Sequence, residues 1–276
     1  MAPLEIKTYK IQTDKLKKSD RPVRMALLAD LHDQLWGEGQ EKLLRAIDRL
    51  SVDMVLCAGD MVLSKKQRGM EHALLLFRRL RERNLPVYAC NGNHESRLRE
   101  SVEGRKKEYL YYMDKLHKMG VHLLINESTF VQVRNTPLQI HGYEMPMEYY
   151  HKFCQLSYGT KDLYHKLGRP RPEIFHILLA HNPVYFRTYA RWGADLTVSG
   201  HLHGGLIRIP GIGGLITPQV KLFPKYDRGL YQIDGRYLAV SPGLGGHTVP
   251  IRIFNPPQLF GITIEGTGEN GTICKN

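Results

Sequence analysis

The sequence predicts an α/β fold: a four-layer α-β-β-α sandwich in which two mixed β-sheets face each other and are flanked by helices. Three observations carry that expectation. Up to Gly120 short apolar runs alternate with amphipathic stretches, the texture of repeated β-α units. Beyond Gly120 the chain turns to short strand-like segments in close succession. Neither a linker nor an internal repeat interrupts the 276 residues, which therefore read as a single domain over 1–276 with its core at about 24–265.

The elements follow in order. "RMALLAD" (24–30) precedes "EKLLRAIDRL" (41–50), and "DMVLCAGD" (53–60) precedes "MEHALLLFRRL" (70–80). In the latter, Met70, Ala73, Leu74, Phe77 and Leu80 fall at i, i+3, i+4, i+7 and i+10, the spacing of a helix burying one face. "PVYACNGN" (86–93) leads into a long stretch to Met119. The second half offers strands at "VHLLI", "TFVQV", "LQIHGY", "IFHILLA" and "LTVSG", then a glycine-rich run and "GLYQI", "YLAVS", "IRIF" and "FGITI". Residues 145–171 read as a helical excursion between strands.

Composition bounds the function classes. With 42% hydrophobic and 24% charged residues the chain is an ordinary globular one. Lys and Arg outnumber Asp and Glu by 39 to 27, a formal charge of +12. An anionic partner fits that balance, whether phosphate ester, nucleic acid or acidic lipid; so does a merely basic surface. Cys57, Cys90, Cys154 and Cys274 form no CxxC pattern, which excludes a zinc knuckle or a disulfide framework and leaves buried thiols as the reading for Cys57 and Cys90. No run approaches the roughly 18 apolar residues of a membrane span. As given the chain reads as soluble and cytoplasmic, or as membrane-associated if a leader or anchor preceded Met1-Ala2-Pro3, so its location stays undetermined.

The chemistry sits at strand ends. "LLADLH" closes with Asp30 and His32, "LCAGD" with Asp60, "ACNGNHE" with Asn93 and His94, "ILLAH" with His181 and "TVSGHLH" with His201 and His203. In open α/β sheets ligand sites form beyond the carboxyl ends of strands. Singly each residue has a structural reading: Asp30 as a turn cap, Asn93 as a left-handed turn residue, His181 as a satisfied core histidine. Jointly, five strand ends offer nitrogen and oxygen ligands to one rim. Carboxylate, imidazole and amide donors without a thiolate suit Mn, Fe, Co, Ni or Zn and argue against a structural zinc.

The ordered series Asp30-Leu31-His32, Gly59-Asp60, Gly92-Asn93-His94-Glu95, His181 and Gly200-His201-Leu202-His203 resembles the calcineurin-like metallophosphoesterase superfamily, with its metallo-dependent phosphatase fold. The tail, "GHLHGGLIRIPGIGG" with "YDRGLYQIDGRYLAVSPGLGGHTVPIRIFNPPQL", resembles the YkuE/YaeI-type bacterial branch, whose members are often membrane-associated. The resemblance implies two divalent ions, Mn or Zn favoured, bridged by Asp60. One ion would take Asp30, His32, Asp60 and His203, and the other Asp60, Asn93, His181 and His201. It further implies hydrolysis of a phosphodiester or pyrophosphate by in-line attack of a metal-bridging hydroxide, with His94 protonating or orienting the leaving oxygen.

Departures from neighbouring branches narrow the expectation. Where Ser/Thr phosphatases carry "GDxVDRG" and "RGNHE", this chain reads "GDMVLSK" and "CNGNHE", so their phosphate-gripping arginines are missing. Leu63 stands where purple acid phosphatases place a tyrosine ligand, which favours a divalent pair. The expected partner is a phosphate-ester substrate, lipid-linked or envelope-associated as the leading reading, with peripheral contact to an anionic membrane and no protein partner inferred. A soluble cyclic-nucleotide or nucleic-acid phosphodiesterase is the alternative. A non-catalytic scaffold of the same fold, like the retromer subunit, is disfavoured because every ligand and His94 are kept. Arg97, Arg99, Arg105, Lys106 and Lys107 read either as a basic cap over the site or as the solvated face of a helix burying Tyr109, Tyr112, Met113 and Leu116. "MPMEYYHKF" (145–153) reads as a lid or lipid-facing edge or, more simply, as core packing; His141 and His247 are given no role.

Overall fold

The computed structural model describes residues 2–64, 69–101, 104–150, 156–205, 207–209, 213–216, 223–246 and 252–268. In chain order its elements are β1 (Glu5–Lys17), β2 (Val23–Leu28), α1 (Glu41–Leu50), β3 (Met54–Cys57), α2 (Glu71–Glu82), β4 (Val87–Ala89), α3 (Asn93–Arg99), α4 (Lys106–Lys118), β5 (His122–Leu123), β6 (Glu127–Val133) and β7 (Thr136–Tyr143). There follow α5 (Lys161–Leu167), β8 (Phe175–Ala180), α6 (Phe186–Trp192), β9 (Leu196–Ser199), β10 (Ile207–Ile209), β11 (Gly213–Ile216), β12 (Gly229–Ile233), β13 (Arg236–Val240) and β14 (Gln258–Gly268).

Two six-stranded mixed sheets result, ordered β1-β14-β2-β3-β4-β5 and β12-β13-β9-β8-β7-β6, with β10 and β11 as a separate hairpin. In the first, β2, β3, β4 and β5 run parallel while β14 opposes β2. In the second, β13, β9, β8 and β7 are parallel and the two edge strands antiparallel. The period of two sorts the side chains of β2. Met25 and Leu27 face the second sheet and pack with Leu138, Ile140, Ile177, Leu179 and Val198. Ala26 and Leu28 face the helices and pack with Leu43, Leu44 and Ile47 of α1, Phe77 and Leu80 of α2 and Tyr112 of α4. On the far side Tyr143, Leu178 and Ala180 bury Leu163 of α5 and Tyr189 and Trp192 of α6. Helix, sheet, sheet, helix is thus the observed layering, each fully buried Leu, Ile or Phe contributing roughly 1.5–3 kcal/mol.

The structure differs from the sequence reading at three places. β1 forms a thirteen-residue edge strand parallel to β14, where no strand was expected. "IRIF" is no strand among its described residues; Ile253 only accepts a hydrogen bond from the backbone N–H of Arg208 at 3.1 Å. The excursion at 145–171 is helical only in a 3-10 turn at Met147–Tyr150 and in α5, while 151–155 lie outside the described residues. Cys57 and Cys90 are buried free thiols, as expected; Cys154, Cys274 and His247 lie outside the described residues.

Candidate metal centre

Parallel strands deliver their carboxyl ends to one rim. β2 runs out into Asp30 and His32, β3 into Asp60, β4 into Asn93 and His94 at the start of α3, β8 into His181, and β9 into His201 and His203. All eight are buried. Five of them, Asp30, His32, Asp60, His201 and His203, hold positive φ between 49° and 73°. A left-handed backbone costs a non-glycine residue about 1–2 kcal/mol, and such strain concentrates at functional sites.

The turns bring donor atoms into contact. Asp30, His32 and His203 offer ligand atoms within 4.8 Å of one another; so do Asp60, His181 and His201, and so do His32, Asp60 and His94. Nε2 of His203 lies 3.2 Å from Oδ1 of Asp30, and Nε2 of His32 lies 3.1 Å from Nε2 of His203. His181 is the most telling. Its Nδ1–H donates to the carbonyl of Ala58 at 2.6 Å, which turns Nε2 toward Oδ2 of Asp60, 3.2 Å away. That approach needs positive charge between the two groups, a proton on Nε2 in the metal-free protein or a metal ion in its place. The side-chain oxygen of Asn93 likewise faces acceptors, with Nδ1 of His201 at 2.7 Å, a conflict resolved by exchanging the amide atoms or by a cation there. The donor set and its unmet charge therefore fit divalent metal ions.

Electrostatics agree. Burial works to raise Asp60, but His181, His94 and His32 outweigh it and hold the carboxyl well below the usual carboxylate range. Burial would lower His181, yet Asp60 and then Asp30 push it up to about 9. Burial, joined by His203 at one ring and His181 at the other, depresses His32 and His201, so both are neutral and fit to coordinate.

Two glycines make the convergence possible. A Cβ on Gly92 would stand 2.2 Å from Oδ1 of Asp60, and one on Gly200 would stand 2.2 Å from Oδ2 of Asp30. Without side chains, the backbone amides of His94 and His201 close on those same carboxylates, at 2.8 Å and 3.0 Å. Glu95 fastens the Asp60 turn. Its Oε2 accepts from the backbone N–H of Asp60 and Gly92, and its Oε1 from Met61 and Val62, at 2.8–3.1 Å. Burial, and next Asp60, raise Glu95 to about 7 against those donors.

His94 has its ring fixed. Ser64 donates its backbone N–H to Nδ1 at 3.0 Å, leaving the hydrogen on Nε2, which faces the centre 3.9 Å from Oδ2 of Asp60. The ring also stands close enough to His32 and Asp60 to join them as a ligand. Of the expected basic cap, Arg97 reaches the site: its Nη1 lies 3.1 Å from the second amide atom of Asn93. Arg99 instead pairs with Glu144, and Arg105 with Glu108 and the Ser64 carbonyl. α4 buries Tyr109, Tyr112 and Leu116, as a helix with a solvated face does. Within 145–150, Met145 and Tyr150 are core residues, and the Tyr150 ring packs edge-on against His201 at 4.9 Å. His141, given no role by sequence, bridges Ser128 and His176 away from the centre.

Sequence reading had named Glu95 only as part of a motif and had missed the loop supports. Asn255 donates from Nδ2 to the carbonyls of His203 and Gly205, at 2.5 Å and 2.6 Å. Arg252 donates to the carbonyls of Pro242 and Gly245, whose segment closes on Asp30 through Gly245 N–H. The "NPP" and "IRIF" stretches held these residues, but nothing local ties Asn255 to a loop about fifty positions away or Arg252 to the carbonyls of Pro242 and Gly245.

A family model for calcineurin-like phosphoesterase matches residues 23–205. The chain belongs to that family. It is accordingly a phosphoester hydrolase, of a family that uses divalent metal ions. An uncharacterized metallophosphoesterase of Aquifex aeolicus is 28% identical over 96% of this chain and 93% of its own. Phosphodiesterase YaeI of Escherichia coli is 25% identical over 83% of this chain and 77% of its own, in line with the branch expected from the tail. UDP-2,3-diacylglucosamine pyrophosphatase LpxG of Chlamydia muridarum is 25% identical over 86% of this chain and 82% of its own.

Proposed function

We propose that this chain hydrolyses a phosphodiester or pyrophosphate bond of a lipid-linked substrate at a centre of two divalent ions. Asp30, His32, Asp60 and His203 would hold one ion and Asp60, Asn93, His181 and His201 the other, manganese or zinc being the favoured pair. The observation that supports this most directly is the place of Asp60, whose carboxylate belongs at once to the group with His32 and His94 and to the group with His181 and His201. When bound, such ions acidify water into a nucleophile and offset the charge of the phosphoryl oxygens.

The chain's own residues do the rest. Nε2–H of His94, fixed by Ser64, donates to the leaving oxygen. Arg97 supplies a guanidinium for the phosphate next to the scissile one, the contact a pyrophosphate offers and a simple phosphate ester lacks. Tyr150 walls the centre beside His201 and excludes water. The lipid-linked substrate draws its support from the relative named for UDP-2,3-diacylglucosamine. A screen of the Mn²⁺-loaded protein across lipid pyrophosphates, nucleotide-sugar lipids, cyclic nucleotides and DNA tests the reading. Turnover of a lipid pyrophosphate is expected, and turnover of cyclic nucleotides or DNA alone would replace it with a soluble phosphodiesterase.

A further inference from the structure

A cavity of about 910 Å³ opens between the free edges of the two sheets, beside β1, β14 and β12 and beneath the β10–β11 hairpin. It lies outside the metal centre but next to it, since Arg208 in its wall donates to the carbonyl of Gly204, one residue past His203. Its rim is unusually apolar. Of the nine large hydrophobic side chains exposed among the described residues, three gather here: Phe254 at 70%, Phe223 at 59% and Ile209 at 36%. Phenylalanines left in water contribute nothing to folding, and a patch of them marks a contact surface.

The same cavity is cationic. Asp227 is spent on the wall itself, accepting from Arg208, Gly214 N–H, Tyr231 OH and Arg228 N–H. Among the described residues the guanidinium of Arg228 makes a long contact, 3.4 Å to Asn255 Oδ1. Lys225 lies over the ring of Tyr226 and Lys7 forms a long ion pair with Glu5 at 4.0 Å, so Lys7, Arg208, Lys225 and Arg228 line the cavity against the two carboxylates Glu5 and Asp227. Apolar rings at a rim with cations set among them complement a bilayer whose headgroups are anionic, the rings entering the acyl boundary and the cations meeting phosphates. A free phosphate would use the cations and leave the phenylalanines idle.

We propose that this face, with Ile209, Phe223 and Phe254 around Lys7, Lys225 and Arg228, docks the protein on an anionic phospholipid bilayer. Docking there sets the bilayer beside the loop that carries His203, and it stands whatever bond the centre cleaves.

The test is flotation of the full chain with phosphatidylcholine vesicles containing phosphatidylglycerol, beside vesicles of phosphatidylcholine alone. The unaltered protein binds the anionic vesicles, and added salt weakens that binding. Phe223→Ser with Phe254→Ser weakens it about ten-fold or more, as does Lys7→Glu with Lys225→Glu, while Phe130→Ser, equally exposed on the β6 edge, leaves it unchanged. Unfolding midpoints and turnover of a water-soluble ester stay as in the unaltered protein, which separates failure of docking from failure of the catalytic reading. Absence of binding, equal binding to neutral vesicles, insensitivity to the paired phenylalanine change, or displacement of the vesicles by single-stranded DNA on the same face would each overturn the proposal.

Discussion

Glu95→Gln separates the support of the metal centre from the stability of the fold. The carboxylate accepts four backbone N–H groups, two on each oxygen. Glutamine keeps one oxygen and turns an NH₂ toward the other pair, so two hydrogen bonds to a charged acceptor disappear, at about 1.5–3 kcal/mol each. The gross loss is about 3–6 kcal/mol. Against it stands the cost of the buried charge, which holds the carboxyl at about 7 instead of 4.5 even with those donors in place and which glutamine does not carry. The net destabilisation is therefore smaller than the gross loss and within the roughly 5–15 kcal/mol of a typical domain. The donor–donor contact falls on the peptides that orient Asp60, whose φ of 53° has little latitude. Urea denaturation of the metal-free variant should show a folded, modestly weakened chain, while calorimetric titration with Mn²⁺ shows affinity lower by about ten- to a hundred-fold and turnover falls with it. Unchanged metal affinity and turnover, with or without lost stability, would refute the assignment of Glu95 as the group that sets Asp60.

His94→Ala should keep the metals yet lose about a hundred-fold more rate on an alkyl phosphodiester than on a nitrophenyl ester, whose leaving group needs no proton; equal losses at unchanged metal content would leave His94 a positioning group. Arg97→Gln should raise KM for a pyrophosphate about ten-fold or more, the loss of one charge-assisted contact, with little effect on an ester of a single phosphate; an unchanged KM removes Arg97 from substrate binding. In the metal-free protein His181, raised to about 9, contributes stability that is full below its unfolded value of 6.5 and is lost as pH rises through 9, about 3 kcal/mol in all. Denaturation midpoints should fall across that window without metal and stay level with saturating Mn²⁺; a rise with pH in the metal-free protein contradicts the His181–Asp60 contact.

The candidate centre was legible in the sequence because parallel strands export their carboxyl ends to one rim, so Asp30, Asp60, Asn93, His181 and His203 each stood within a few residues of the end of an apolar run. The helix of Ala73, Leu74, Phe77 and Leu80 was legible for a similar reason, a period of 3.6 written in a dozen residues. β1 was not. It pairs only with β14 from the far end of the chain, fully buries just Ile11 and Leu16, and carries the lysines and aspartate that edge strands use to stay single. "IRIF" misled in the opposite sense: its apolar residues look like a strand, yet Ile253 and Phe254 are exposed. Glu95 and Asn255 act through backbone groups, which every residue possesses, so no residue type elsewhere announces their partners.

Metal stoichiometry against activity tests the central claim most directly. The metal-stripped protein is titrated with Mn²⁺, bound metal is measured by elemental analysis, and turnover is followed at each point, for the unaltered chain and for Asp60→Asn. Two ions per chain are expected, with activity complete only at the second, and Asp60→Asn should hold neither tightly because its carboxylate serves both groups. Full activity at one ion per chain, or an Asp60→Asn variant that still binds two, would contradict the shared-carboxylate centre.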